Sequence, residues 1–514
     1  MSGSFFTLLQ ATFRRRADAV ALEEVERGRE YRFADLDALS ARFARVLTDL
    51  GARRGDRVAV QVEKSPAALA VHLACLRAGL VFLPLNPAYR ADEVAWILEN
   101  AEPAIFVRDP ARGDELDPRA RAAGVRRVVA LDAGGGGELA AMAAEVPADF
   151  PPVPVAAEEH GAMLYTSGTT GRPKGAPLSH GNLASNARVL VEAWAFGEDD
   201  VLLHALPIYH AHGLFVAAHC ALLAGARMLW LRKFDAERVA ALLPRATVFM
   251  GVPTMYVRLL ERPELDRART AGMRLFVSGS APLSPEVWRA FRARTGHEIL
   301  ERYGMSEILM HTGNPYRGER RPGTVGRPFP GSEVRIVDDA GRARPPGQPG
   351  HVLVRGPNVF RGYWRDPEAN AEAFTEDGWF RTGDLGFLSE DGYLTLVGRA
   401  RDLIITGGLN VYPREVEDVI DAVPGVRESA VVGLPHPDFG EAVTAVVVRE
   451  PGTAVDEGTI LDACRARLAG YKVPKRVLFV EELPRNTMGK VQKRLLRERF
   501  RALYRDLRPG KASA

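Results

Sequence analysis

The segment Tyr165–Gly175, YTSGTTGRPKG, holds the densest chemistry in the chain. Gly168, Gly171 and Gly175 let the backbone approach an anion closely. Thr166, Ser167, Thr169 and Thr170 supply hydroxyl donors, and Lys174 adds a positive charge. Together they read as a loop that grips phosphate. It is not the Walker loop, in which a helix follows GxxxxGK[ST] directly, because Pro173 precedes Lys174 and Gly175 follows it. His204, His210 and His212 form a second cluster, but no cysteine stands beside them, so the pattern for zinc is weak.

These residues need a scaffold, and the sequence offers one. Leu36, Leu39, Phe43, Val46, Leu47 and Leu50 recur at helical spacing, and Gly51 ends the run. A strand follows at 57–61, then a helix capped by Ser65 and running to about Ala78, then a strand in GLVFLPL. This βαβα rhythm predicts an α/β fold with a mostly parallel sheet and helices on both faces. Near residue 400 the pattern changes. A compact αβ segment follows, with a helix from Pro413, strands at SAVVGL and TAVVVRE, a helix from Asp456 and a strand at RVLFV. The expected division is a large α/β N-terminal domain over 1–399, a hinge at 400–402 and a small mobile α/β domain over 403–514.

Composition narrows the class. The chain has 514 residues, 46% hydrophobic and 26% charged, with a net charge of +3 from 68 basic and 65 acidic side chains. That balance gives no drive toward nucleic acid or an acidic membrane surface. The basic C-terminal run also carries Leu495, Leu496, Phe500, Leu503 and Tyr504 at helical spacing, the pattern of an amphipathic helix with a solvated face. No apolar run is long enough to span a membrane. At the N-terminus an apolar stretch precedes a basic one, the reverse of a secretory signal, and Asp18 and Glu23 argue against an organellar leader. Cys75, Cys220 and Cys464 form no metal or disulfide pattern, which fits a cytoplasmic protein.

YTSGTTGRPKG resembles the phosphate loop of the adenylate-forming superfamily, and further matches follow in order. They are ERYGMSE (301–307), GYW (362–364), RTGDLG (381–386), GRARDLIITGGLNVYPREVE (398–417) and PRNTMGKVQK (484–493). The resemblance implies ATP, Mg²⁺ and coenzyme A as the small-molecule partners. It gives Glu307 and Thr166 to the metal, and Tyr303 to the adenine. Ser280, Gly304, Met305 and Ser306 fall to the rest of the nucleotide, Asp384 and Arg399 to the ribose. It makes Lys490 the cation between the attacking carboxylate and the α-phosphate, Arg401 the pivot, and Gly407 and Gly408 the path of the CoA arm.

The acid is read from LPIYHAHGLF (206–215), GVPTMYVRLL (251–260) and LFVSGSAPL (275–283), which with 301–326 resemble the malonyl-CoA synthetases of this superfamily. The resemblance implies that Arg258 grips the carboxylate that does not react, with Ser278 as a hydroxyl contact, Met305 as an apolar wall and His210 at the border of the acyl site. A guanidinium suits this task because it pairs with a carboxylate through two parallel hydrogen bonds. Ile308 stands where many relatives have Thr, which keeps methylmalonate and other short acids open. An enzyme that loads a carrier protein remains a further alternative, although HAHGL stands where such enzymes place an anchoring Asp.

Overall fold

The structure is a computed structural model that describes residues 3–166, 173–406, 409–436, 438–486 and 489–505. Its first large sheet has six strands, in the order Arg127–Ala130, Ile105–Arg108, Arg57–Gln61, Val81–Pro84, His160–Thr166 and Lys174–Ser179. Five run parallel and the sixth is antiparallel, closing a hairpin whose last register pair is Thr166 with Lys174. That hairpin holds the Ser/Thr/Gly loop. Ser167, Gly168, Thr169 and Thr170 lie outside the described residues.

A second sheet has nine strands. Six of them are parallel, in the order Val20–Glu24, Arg227–Trp230, Val201–His204, Val248–Gly251, Leu275–Ser278 and Ile299–Met305. The Pro66–Ala78 helix is buried along its whole length. It starts where Ser65 Oγ accepts from the Ala68 N–H at 3.1 Å, and it ends at Gly79 in the left-handed conformation. Its small residues allow this burial, and one continuous apolar cluster reaches into both large sheets. The Phe5–Arg15 helix belongs to the same core through Phe5, Phe6, Leu9 and Phe13.

Two features depart from the sequence expectations. Residues 333–399 form a four-stranded antiparallel sheet, where the sequence pattern shows only one strand, in GYLTLVGRARD (392–402). Its strands are separated by glycine turns at Gly341, Gly347, Gly378 and Gly392, all with positive φ, which break the alternation into short pieces. The C-terminal helix runs only from Lys493 to Phe500. Leu503 and Tyr504 follow in a turn, with Tyr504 buried against Thr444 at 2.9 Å.

From Ile404 onward the chain builds a five-stranded sheet and two apolar clusters of its own. The helices Pro413–Asp421 and Glu457–Arg467 pack on it. Ala400–Asp402 is a short helical turn between the two parts, and it contains Arg401. All three cysteines are free and buried. Among the described residues no helix is long and apolar enough to cross a membrane.

Candidate active site

In a parallel sheet the carboxyl ends of the strands leave a crevice where ligands bind. Here Gly251 pairs in register with Ser278, and Ser278 with Glu301, so these three residues stand at one level on adjacent strands, two of which end there. Ser278 Oγ is buried and has no hydrogen-bond partner among the described residues. The Arg302 guanidinium lies against Gly279 so closely that a Cβ at Gly279 would fall on it. Arg302 is buried, its Nε and Nη2 are unpaired among the described residues, and burial lowers its pKa to about 9. Glu301, one residue back, points to the other face of the strand. Its Oε1 accepts from the Leu283 N–H at 3.0 Å, and burial raises its pKa to about 7.

The segment after the Val201–His204 strand closes the same crevice. His212 Nδ1 lies 3.3 Å from Ser280 Oγ, and Ser280 has a φ of 73°. Left-handed backbone at a residue with a Cβ is a strained feature that clusters at functional sites. The Nε2 atoms of His210 and His212 are buried and unpaired among the described residues. Burial pushes His210 down to about 4, so the ring is neutral. Met305 is half-buried at the end of its strand.

The other half of the crevice is built from a different sheet. Tyr303 is buried, and its hydroxyl donates to Asp384 Oδ2 at 2.5 Å. Asp384 Oδ1 sits 2.8 Å from Arg399 Nε, and the two residues are register partners on neighbouring antiparallel strands. The Asp384 carboxylate keeps Arg399 firmly protonated despite burial. At Gly304 a side chain would strike the Leu309 carbonyl, so the hairpin needs glycine there. Ser306 stands in the turn that follows.

Glu307 accepts at Oε1 from the Tyr363 hydroxyl at 3.0 Å, and its carbonyl accepts from the Phe360 N–H at 2.8 Å. It is buried, joins no ion pair among the described residues, and has its pKa raised by that burial. A carboxylate in this state gains from a hard divalent cation, so Glu307 fits Mg²⁺ as a ligand. Lys174 Nζ lies 3.7 Å from Asp366 and 5.4 Å from the ring of Tyr363, the residue that donates to Glu307. Thr166 Oγ1 donates to the Lys174 carbonyl at 3.5 Å.

The C-terminal part reaches over this crevice. Gly489 stands against Thr254, in the first turn of the Pro253–Leu260 helix, where an added Cβ would lie 3.1 Å from Thr254 Oγ1. Lys490 follows immediately and is half-buried, with its N–H donating to Asn486 Oδ1 at 2.9 Å. Gly407 and Gly408 lie outside the described residues.

Arg258 is not where the sequence reading put it. The Pro253–Leu260 helix buries Tyr256 and Leu259, and at 100° per residue Arg258 falls about 130° from the middle of that buried face. It is exposed and lines a surface groove with Asp235, Glu237, Glu261 and Arg427. The structure brings Arg302, not Arg258, to Ser278 and the histidines. A signal for Arg302 was present in ILERYGM, where a charged residue interrupts a strand of a parallel sheet, a setting that is normally apolar throughout. Ile308 is buried in the main core.

A crevice at the ends of parallel strands, a Tyr–Asp–Arg set beside it and a small domain presenting a lysine loop define the adenylate-forming class. Residues 9–364 match the family model described as AMP-binding enzyme, and residues 415–490 match the AMP-binding enzyme C-terminal domain. The chain belongs to the AMP-binding enzyme family. It is 36% identical to the mouse protein named malonate–CoA ligase ACSF3, mitochondrial, over 90% of this chain and 84% of that one. It is 38% identical to a feruloyl-CoA synthase of Amycolatopsis sp, over 91% and 94%. ATP-bound MatB from Rhodopseudomonas palustris superposes with a TM-score of 0.95 at 50% identity, over 98% of this chain and 100% of that one. The apo form of MatB, at the same identity, gives 0.85, so the present arrangement is nearer the ATP-bound one.

Proposed function

We propose that the protein is a malonate–CoA ligase. It joins malonate to ATP, giving malonyl-AMP and pyrophosphate, and then passes the malonyl group to the thiol of coenzyme A with release of AMP. The observation that carries the choice of acid is the buried Arg302 guanidinium with two unpaired nitrogens. A buried cation without a partner is unfavourable, and a second carboxylate on the substrate supplies the partner. Ferulate and similar aromatic acids have only the carboxylate that reacts. Relatives named malonate–CoA ligase support the reading.

In this scheme Arg302 and Ser278 hold the distal carboxylate, with His210 and Met305 along the acyl path. The reacting carboxylate then faces the α-phosphate. Tyr303 packs on the adenine, while Asp384 and Arg399 take the ribose hydroxyls. The loop 166–174, with Ser280, Gly304 and Ser306, lines the phosphates. Glu307 with the Thr166 hydroxyl would hold Mg²⁺, which would supply positive charge against the ATP phosphates. Lys490 lowers the repulsion between the two anions that must meet, which is electrostatic stabilisation of a transition state. The small domain, 403–514, then turns about 400–402, near Arg401, so that Gly407 and Gly408 line the path of the CoA arm. Three buried free cysteines suit a reducing compartment such as the cytoplasm.

The test is AMP release with CoA across malonate, methylmalonate, succinate, acetate and octanoate. Malonate is expected to have the highest kcat/KM. A preference for acetate or octanoate overturns the reading. A preference for methylmalonate keeps Arg302 in its role and changes only the acid.

A further inference from the structure

We infer that Lys64 is a positioning residue for the acid half of the site, acting through His204 on the loop that carries His210 and His212. The inference rests on the reading of that loop as the acid side.

Lys64 stands between the Arg57–Gln61 strand of the six-stranded sheet and the Pro66–Ala78 helix, and it is buried. It joins no ion pair among the described residues. Instead Nζ donates to His204 Nδ1 at 2.7 Å and to the His204 carbonyl at 2.8 Å, and lies 4.2 Å from the centre of the Trp230 ring. His204 belongs to the other large sheet, is the register partner of Trp230, and stacks on it at 4.6 Å. A buried lysine with no carboxylate stabilises a fold less than an apolar residue of its size would. Its presence across the seam between two sheets calls for another role.

The bonds of His204 indicate that role. Nδ1 accepts from Lys64, so in the neutral ring the hydrogen is on Nε2. Nε2–H donates to the Gly213 carbonyl at 2.8 Å. Gly213 belongs to the His212–Ala218 segment, which is wound as a π-helix, and it packs so tightly on the Pro207 carbonyl that no Cβ fits. The Leu214 N–H donates back to the His210 carbonyl at 3.1 Å. Residues 207–213 therefore form a closed loop pinned at one end by His204. On that loop sit His210, with Nε2 turned inward, and His212, which meets Ser280. Removing the Lys64 donors frees His204 to take its other tautomer, which cannot donate to Gly213, and the loop loses its anchor. Single-turn π segments are frequent at functional sites, which agrees with a loop held in a less stable winding for a purpose.

The test uses the full-length enzyme and Lys64→Met, with KM measured separately for ATP and for the acid that the wild type turns over best. The KM for the acid is expected to rise about tenfold or more, the scale of a small misplacement of binding groups. The KM for ATP is expected to stay within about twofold, because Tyr303, Asp384 and Arg399 hang on other strands and Ser280 is the one nucleotide group that meets this loop. No change in either, or an equal rise in both, overturns the proposal. If the wild type prefers another acid to malonate, the malonate reading fails on its own and the Lys64 test runs with that acid. A second measurement needs no variant. ¹⁵N NMR of the wild-type histidines, with the His204 signal identified by its loss in His204→Gln, is expected to show the Nε2–H tautomer. An Nδ1–H tautomer overturns the proposal even where Lys64→Met does not fold.

Discussion

Replacing Arg302 by methionine is the sharpest perturbation of the acid site, and Arg258→Met is its control. If Arg302 pairs with the distal carboxylate, removing it leaves that carboxylate buried without a partner, which costs about 3–5 kcal/mol. At tenfold per about 1.4 kcal/mol this is two to three and a half decades of kcat/KM. Arg302 is buried and, with a pKa lowered only to about 9, still charged at neutral pH. We therefore expect the upper half of that range, about a thousandfold for malonate. Butyrate, whose far end needs no cation, should lose far less. Arg258 is exposed, and surface charge contacts are worth about 0–1 kcal/mol, so Arg258→Met should cost malonate no more than about fivefold. The assay is kcat/KM for both acids in three proteins, with melting temperature measured with and without malonate. Malonate should raise the melting temperature of the wild type and of Arg258→Met, and leave Arg302→Met unmoved. Equal losses on malonate and butyrate in Arg302→Met, or a thousandfold loss confined to Arg258→Met, refute the assignment.

Lys490→Ala should slow adenylate formation by about 10²–10³-fold, the scale of one preorganised electrostatic contact, while thioester formation from supplied malonyl-AMP survives. A parallel loss in both steps would make Lys490 structural. Gly408→Leu should block the thioester step and spare pyrophosphate release, and an unchanged overall rate would place the CoA path elsewhere. Acid should destabilise the fold through its buried histidines. His180 and His219 are held neutral, with pKa values lowered by burial to about 4 and 3, and His72 shares the His219 Nε2 at 2.9 Å. The unfolded chain takes up protons near pH 6.5 while the folded one does not, so the stability these groups allow is full above that value and falls below it. The loss is up to about 1.4 kcal/mol per pH unit for each histidine. Melting temperature measured from pH 7.5 to 5 should fall, and less steeply in His180→Gln, and equal slopes would refute this.

In the proposed site, the nucleotide half is more legible in the sequence than the acid half. Tyr303, Glu307, Asp384 and Arg399 sit in short strings of fixed spacing, and the fold brings the first pair and the second pair together through one hydrogen bond between Tyr303 and Asp384. Acid recognition is spread over segments with no common string, and the side a residue faces decides its part. Helical and strand periodicity found the Pro66–Ala78 helix and the Arg57–Gln61 strand because their apolar runs are long and capped. The pocket role of Arg258 comes from the family resemblance and not from periodicity, which by itself leaves Arg258 facing water. In a helix that buries only Tyr256 and Leu259 fully, the side opposite them, where Arg258 stands, faces water. Periodicity passed over Lys64 because a lone lysine after a strand reads as solvated. Nothing local shows that the Val201–His204 strand of another sheet will close over it.

The contact between the two parts is costly, which bears on how the second half-reaction of the proposed scheme begins. Arg414, on the first helix of the small domain, interacts with Glu301 of the large one, and Asp418 and Glu286 crowd the same region. Glu301 Oε2 and Glu286 Oε2 are buried without hydrogen-bond partners among the described residues, and Asp418 Oδ1 is held only at the 2.7 Å ion-pair distance to Arg414. Buried carboxylates in short supply of donors weaken an interface. The Arg427–Glu261 bridge across the two parts, at 3.3 Å, is solvent-exposed and adds little. Contacts of this kind hold two domains together no more firmly than a transient interface does. A ligand that touches both parts, as ATP would between Tyr303 and Lys490, then decides the balance by its differential affinity. In the proposed scheme that part of the differential affinity is gone once pyrophosphate has left, and a seam held only by the Glu301–Arg414 attraction and short of hydrogen-bond donors would then let the small domain go.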